Sequence, residues 1–383
     1  MNYLLFNSDL SIDEFLCNEH SSSYLLQNDT LFFTASSSFN NIKLTYSLNS
    51  ILSNANTPNT QFFLERFIRW YPLLYDQFSN YKVTITLPGN YFVQACSKEC
   101  RRHVQGNIIH YEYKLFDEDF PIFISKDGIY DTLSLTKWKS TLSFYYIRER
   151  PRFLSMDAEG NKIFTSDSLQ KDSLIHIIAY RTMDAFRWYN ENLWKLPRRT
   201  IRIVETLENQ GVGFDRFILA GRSMINLELW NEMQFSHEAV HSWIGSHTLY
   251  VQEGKFFMGE SVAEFVNWLY YKSWAGDKAF EKLIDDMQNL TYYTNIEYFT
   301  TDFQTILSLR KSTAQPYNDL YFYIKGPLFV YEFYKLIGEE KLFQIIRYIY
   351  KPRNRFAHYS LWESAVKKFH CEDEWRQVTT KHL

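Results

Sequence analysis

Apolar and polar residues alternate with a period of two through much of the first part of the chain. The runs YKVTITL (81–87), YFVQAC (91–96), IIHYEYKLF (108–116) and FPIFIS (120–125) show this, and PGN, DEDFP and KDG turn signals bound them. That is the pattern of half-buried strands joined by tight connections. From Leu31 to about Tyr146 it predicts antiparallel β structure.

Past Pro151 the period changes. DSLIHIIAYRTMDAFRWYNENLW (172–194) repeats apolar residues at helical spacing behind a Ser/Asp cap signal near Ser166 to Ser168, predicting a long helix. Two strand-like runs follow, TIRIVETL (200–207) and FDRFILAG (214–221). Helical patterns then dominate to the C-terminus, at 228–244, 260–274, 277–290, 325–336, 338–350 and 359–370. The fold class is therefore α+β, with an N-terminal antiparallel β domain (1–150) and a mainly helical second domain (151–383), the boundary falling within 147–160. The polar stretches SSSYLLQNDT (21–30) and NSILSNANTPNTQ (49–61) read as loops, and no repeat or low-complexity tract interrupts the pattern.

Composition narrows the function classes. With 383 residues and 45% hydrophobic content, the chain can bury two cores. A formal net charge of -3, with lysine and arginine spread out, offers no basic strip for nucleic acid. No apolar run approaches the ~18 residues of a spanning helix, so no integral membrane association is expected. The first twenty residues have no basic leader and acidic residues break their apolar stretch, which predicts a non-exported, cytoplasmic protein. Cys17, Cys96, Cys100 and Cys371 do not form a disulfide or zinc-type spacing and read as free thiols.

One short stretch carries chemistry. FSHEAVHSWIGS (235–246) sets His237 and His241 four residues apart with Glu238 beside the first, so on a helix both imidazoles face one ion and Glu238 projects along the same side. Zinc needs a third protein ligand and an open position if it is to be catalytic. Glu260, nineteen residues after His241 at the start of the next predicted helix, is the candidate. Glu264, one helical turn further, is placed to accept the distal N–H of a zinc-bound histidine. His247 lies past the helix stop at Gly245 and reads as a loop histidine.

HEAVHSWIG resembles the HELAHQWFG signature of the gluzincin aminopeptidases, the family of aminopeptidase N and leukotriene A-4 hydrolase. GESVA resembles that family's NEGFA-like motif at the same nineteen-residue step, which assigns Glu260 as the third zinc ligand. YFYIKG supplies Tyr323, Lys325 and Gly326 in the position of the family's oxyanion-stabilising tyrosine. The resemblance covers the whole chain, most strongly 200–335, and implies a saddle-like β domain followed by a thermolysin-like catalytic domain. Two departures stand out. The family's GxMEN motif, which holds the substrate's free amine, has no literal copy: GVGFD offers Gly213 and Asp215 in its place, an alternative alignment on SMIN puts Ile225 there, and Asp215 also reads as a turn residue. The chain also ends at Leu383, leaving no room for the large C-terminal helical domain of full members.

The resemblance implies a zinc metallopeptidase holding one zinc ion, with Glu238 as general base, Tyr323 as oxyanion donor and peptides as substrate, acting as an aminopeptidase if Asp215 holds the amine. An endopeptidase trimming a dedicated peptide and a catalytically weak zinc-containing peptide-binding protein are the alternatives. Side-chain preference and oligomeric state are not written in the sequence.

Overall fold

The structure, a computed structural model, describes residues 2–5, 11–27, 30–34, 42–47, 61–64, 79–95, 99–117, 122–126, 128–148, 152–156, 162–165, 168–196, 200–206, 211–221, 224–225, 229–245, 249–250, 253–293, 303–308, 320–350 and 356–380. The chain divides into two compact units, Met1–Tyr130 and Asp131–Leu383.

The first unit is built of short strands: β1 (Asn2–Leu5), β2 (Ser11–Cys17), β3 (His20–Ser21), β4 (Tyr24–Gln27), β5 (Thr30–Phe33), β6 (Ile42–Ser47), β7 (Gln61–Leu64), β8 (Ser79–Pro88), β9 (Tyr91–Ala95), β10 (Glu99–Gln105), β11 (Ile108–Asp117) and β12 (Ile122–Lys126). They pair in four three-stranded antiparallel sheets, ordered β1-β5-β4, β3-β2-β6, β10-β11-β8 and β7-β12-β9. Period-two alternation supplies the buried faces: Phe15 and Cys17 on β2 meet Leu31 and Phe33 on β5 in one small core. The stretch 21–30, polar enough to read as a loop, instead contains β4, which pairs along β5. Its Tyr24 and Leu25 stay exposed, so it gives no burial periodicity to read. The expected loop 49–61 falls outside the described residues except for Gln61.

In the second unit β13 (Tyr130–Lys137) and β14 (Ser140–Ile147) join β17 (Thr200–Glu205), β19 (Phe217–Ala220) and β18 (Val212–Phe214) in one sheet, ordered β13-β14-β17-β19-β18. β15 (Arg152–Met156) and β16 (Lys162–Thr165) form a separate antiparallel pair. The division between units thus lies some twenty residues before the boundary read from the sequence. The reason is pairing: β14 runs parallel to β17, and a parallel neighbour requires a long crossover, here the segment containing α1 (Ser168–Asn192). β17 is parallel to β19, and β18 closes the edge antiparallel to β19. All four side chains of β19 are buried, as expected for an inner strand covered on both faces.

α1 buries Leu174, Ile175, Ile178, Ala179, Met183, Phe186 and Tyr189, the i, i+3, i+4 stripe of a core-facing helix. Against it lies α2 (Leu229–Val240), which carries His237, is followed directly by His241 and also contacts α3 (Val262–Ala275). Among the described residues the remaining helices are α4 (Asp277–Tyr293), α5 (Phe303–Ser308), α6 (Gly326–Ile337), α7 (Glu339–Tyr350), α8 (Tyr359–Lys368) and α9 (Glu372–Thr379). Two single π-helical turns, Phe257–Ser261 and Tyr321–Lys325, lead directly into α3 and α6. No described helix is long and apolar enough to cross a membrane. Cys17 and Cys371 are both buried.

Candidate metal centre

α2 is fixed before any ligand is considered. Tyr189 of α1 donates its hydroxyl to the Ser236 carbonyl at 3.0 Å, and Ser236 Oγ meets Asn267 Oδ1 of α3 at 2.5 Å. Trp243, fully buried, donates its indole N–H to the Trp194 carbonyl. The helix ends at Val240, and His241 begins a tight turn in which the Trp243 N–H bonds Val240 O and the Ile244 N–H bonds the same carbonyl. His241 is still one helical turn past His237, so the two rings meet edge-on with centroids 4.8 Å apart.

The histidine tautomers follow from their partners. His237 Nδ1 lies 2.5 Å from Glu264 Oε2, and His241 Nδ1 lies 2.9 Å from the Ile244 carbonyl. Both acceptors draw the ring proton to Nδ1, which leaves the Nε2 lone pairs facing each other across 3.2 Å. Glu260 Oε2 completes a triangle, 3.5 Å from His237 Nε2 and 3.6 Å from His241 Nε2. Three ligands at zinc–ligand distances of about 2.0–2.2 Å in tetrahedral directions stand about 3.3–3.6 Å apart. Facing lone pairs and a carboxylate at this spacing are what a cation would hold together, so the donor set fits zinc. His237, Glu238 and His241 also fall within one group of potential ligand atoms spanning 4.8 Å, but the tighter triangle is the one closed by Glu260.

Without a metal, burial works against a charged His237, yet Glu260 and Glu264, with Glu238, outweigh it and hold the imidazole well above the usual histidine range. Glu264 is itself braced: Trp268 donates its indole N–H to Oε1 at 2.7 Å and Asn267 its amide to Oε2 at 3.4 Å.

Glu238 points beside the triangle. Burial raises its pKa; the histidines pull it down, Glu260 pushes it up, and the Gly213 backbone N–H bonded to the carboxylate pulls it down. That contact depends on glycine: a Cβ at Gly213 would lie 2.2 Å from the Glu238 carbonyl oxygen and 2.8 Å from its Cα. Strand β18 therefore runs against the backbone of the histidine helix. Asp215, just past β18, is buried and ion-paired with buried Arg216, whose backbone is left-handed (φ 57°). Ile225, of the alternative alignment, is buried in the core.

Tyr323 sits on the second π-helical turn, 38% exposed, with its hydroxyl 3.2 Å from Glu260 Oε2 and its ring 5.5 Å from that of His237. Lys325, two residues on, is buried, and burial lowers its pKa to about 8. His247 lies outside the described residues. The supports that the sequence pattern did not single out are Trp268, Asn267, Ser236 and Ser261. Only the i+4 step from Glu264 to Trp268 carries a signal for any of them, and tryptophan at that step ordinarily means packing.

The fold, a β unit followed by a unit with a five-stranded mixed sheet and helices, is similar to that of two-domain M1 zinc metallopeptidases. The M1 zinc metallopeptidase of Deinococcus radiodurans superimposes with a TM-score of 0.70 at 10% identity, covering 100% of this chain and 86% of that one. A two-domain M1 zinc metallopeptidase variant bound to L-tryptophan matches at 0.68, 10% identity, 100% and 87% coverage. A Deinococcus radiodurans variant bound to a Tyr-Ser-Ala substrate matches at 0.68 and 10% identity, with 98% and 84% coverage. No sequence-family model matches the chain, and no curated protein matches it significantly.

Proposed function

We propose that the protein is a zinc-dependent peptidase that removes residues from the N-termini of peptides. The observation that carries this reading is the donor triangle of His237, His241 and Glu260 with Glu238 beside it, on a fold shared with enzymes solved with a tripeptide and a free amino acid.

His237, His241 and Glu260 would hold a zinc ion, which would supply Lewis acidity toward water and the scissile carbonyl. Glu238, with its raised pKa, takes the proton of the attacking water and returns it to the leaving amine. The Tyr323 hydroxyl, on a part-exposed side chain beside Glu260, donates to the oxygen on which negative charge gathers. Glu264 keeps His237 in the Nδ1–H tautomer and fixes its ring.

An aminopeptidase also needs a partner for the substrate's free amine. Asp215 is the candidate that the sequence offers; its Oδ2 is ion-paired with Arg216, and in this proposal it shapes the turn after β18. That pairing favours a second reading, an endopeptidase that does not read the free amine. Zinc analysis combined with cleavage of one peptide series, N-terminally free and N-acetylated, separates the two. The proposal expects one zinc per chain and cleavage of the free series alone. Equal cleavage of both supports the endopeptidase, and no cleavage of either by zinc-loaded protein overturns both.

A further inference from the structure

The third ligand and the oxyanion donor both sit on π-helical turns, Glu260 within Phe257–Ser261 and Tyr323 within Tyr321–Lys325, and the two turns contact each other. A π-turn breaks the regular i→i−4 ladder and leaves carbonyls in need of other donors, which is one reason such turns persist at functional sites. Tyr350 supplies one donor, its hydroxyl 2.7 Å from the Met258 carbonyl. Ser261 supplies another across the gap, its hydroxyl 2.9 Å from the Phe322 carbonyl.

That bond joins the residue after Glu260 to the residue before Tyr323. It exists because position 326 is glycine: a Cβ there would lie 2.0 Å from Ser261 Oγ and 2.5 Å from Ser261 Cβ. Ser261 is fully buried, so water cannot substitute for the lost donor without entering the core. Phe256 and Phe322 stack at 4.6 Å, closing the same seam from the side.

We propose that Ser261 is a positioning residue: seated in the space left by Gly326, its hydroxyl clasps the two π-turns together and so fixes the Tyr323 hydroxyl against Glu260. The inference rests on the peptidase reading only for its kinetic consequence, since the clasp itself is a property of the fold.

Ser261→Ala removes the bond and keeps the packing. Hydrogen exchange of the metal-free protein should then quicken about tenfold or more at amides in both 257–261 and 321–326, and stay unchanged along α1. In the zinc-loaded protein kcat should fall roughly ten- to a hundredfold, as sub-ångström to 1 Å misplacement does, with KM within about twofold and one zinc still bound. In the Tyr323→Phe background the same substitution should cost nothing further, because it acts through Tyr323. If the alanine variant does not fold, Ser261→Cys, a side chain of similar shape and a weak donor, carries the same test. Unchanged exchange at 321–326 overturns the clasp whether or not the protein hydrolyses peptides, and additive losses in the double variant overturn its action through Tyr323. Failure of the wild-type protein to hydrolyse any peptide sinks the peptidase reading instead, and the exchange result still decides the clasp.

Discussion

His237 and His241 are buried and each has its Nδ1 tied to an acceptor, whereas Tyr323, across the triangle, is 38% exposed and reaches Glu260 from a π-helical turn. His237 stands on α2 and His241 on the turn that follows it, whereas a pair of π-helical turns carries Glu260 and Tyr323. The difference matches the work assigned to each. Ligands must not move if an ion is to stay, and burial with a fixed tautomer achieves that. A donor to developing charge must meet a substrate, so it needs an open face, and its accuracy has to come from what lies behind it. Glu238 stands between, buried enough for a raised pKa and aimed by a glycine backbone.

Substitutions should separate the two sides. Glu238→Gln is expected to lower kcat by about 10²- to 10⁴-fold with zinc content unchanged; steady-state kinetics with metal analysis would contradict the assignment if activity survived. Tyr323→Phe should cost about 10²- to 10³-fold in kcat, again with zinc retained, so loss of zinc in that variant would collapse the distinction. On the histidine side, Glu264→Ala should weaken zinc about 10- to 100-fold in chelator competition and leave Tyr323 undisturbed.

The smallest effect concerns pH. Metal-free His237 keeps its proton to higher pH than an ordinary histidine, because its carboxylate neighbours outweigh burial. Zinc must displace that proton, so apparent affinity should rise about tenfold per pH unit as the pH climbs towards that raised pKa and flatten above it. Glu264→Ala, which removes one of those neighbours, should shift the bend to lower pH. A profile flat across that range would mean that His237 is already neutral.

Much of the histidine side is legible in the sequence, because it depends on spacing. A four-residue step puts His237 and His241 on one face, and another four-residue step makes Glu264 follow Glu260. The tyrosine side is less so. Nothing in FMGES or YFYIK distinguishes a π-turn from an α-helix, and the Ser261–Phe322 bond spans 61 residues. The unit boundary was hidden for a similar reason. β13 and β14 alternate like the strands before them, and only the parallel register of β14 with β17 assigns them to the second unit. Asp215 is instructive in a different way. A carboxylate at the right distance from His237 suggests an amine anchor, but the following residue is an arginine that turns left-handed and pairs with it. The turn reading of Asp215, open in the sequence beside the anchor reading, gains a partner that only the fold displays.

The central claim is that His237, His241 and Glu260 together hold one zinc ion, with Glu238 outside the coordination shell. The most direct measurement is a crystal structure of the zinc-loaded protein with anomalous data collected at the zinc edge. The account predicts a single peak within about 2.0–2.2 Å of His237 Nε2, His241 Nε2 and a Glu260 oxygen, with Glu238 not coordinating. A peak coordinated by Glu238 in place of Glu260, or no peak from protein equilibrated with excess zinc, would contradict it.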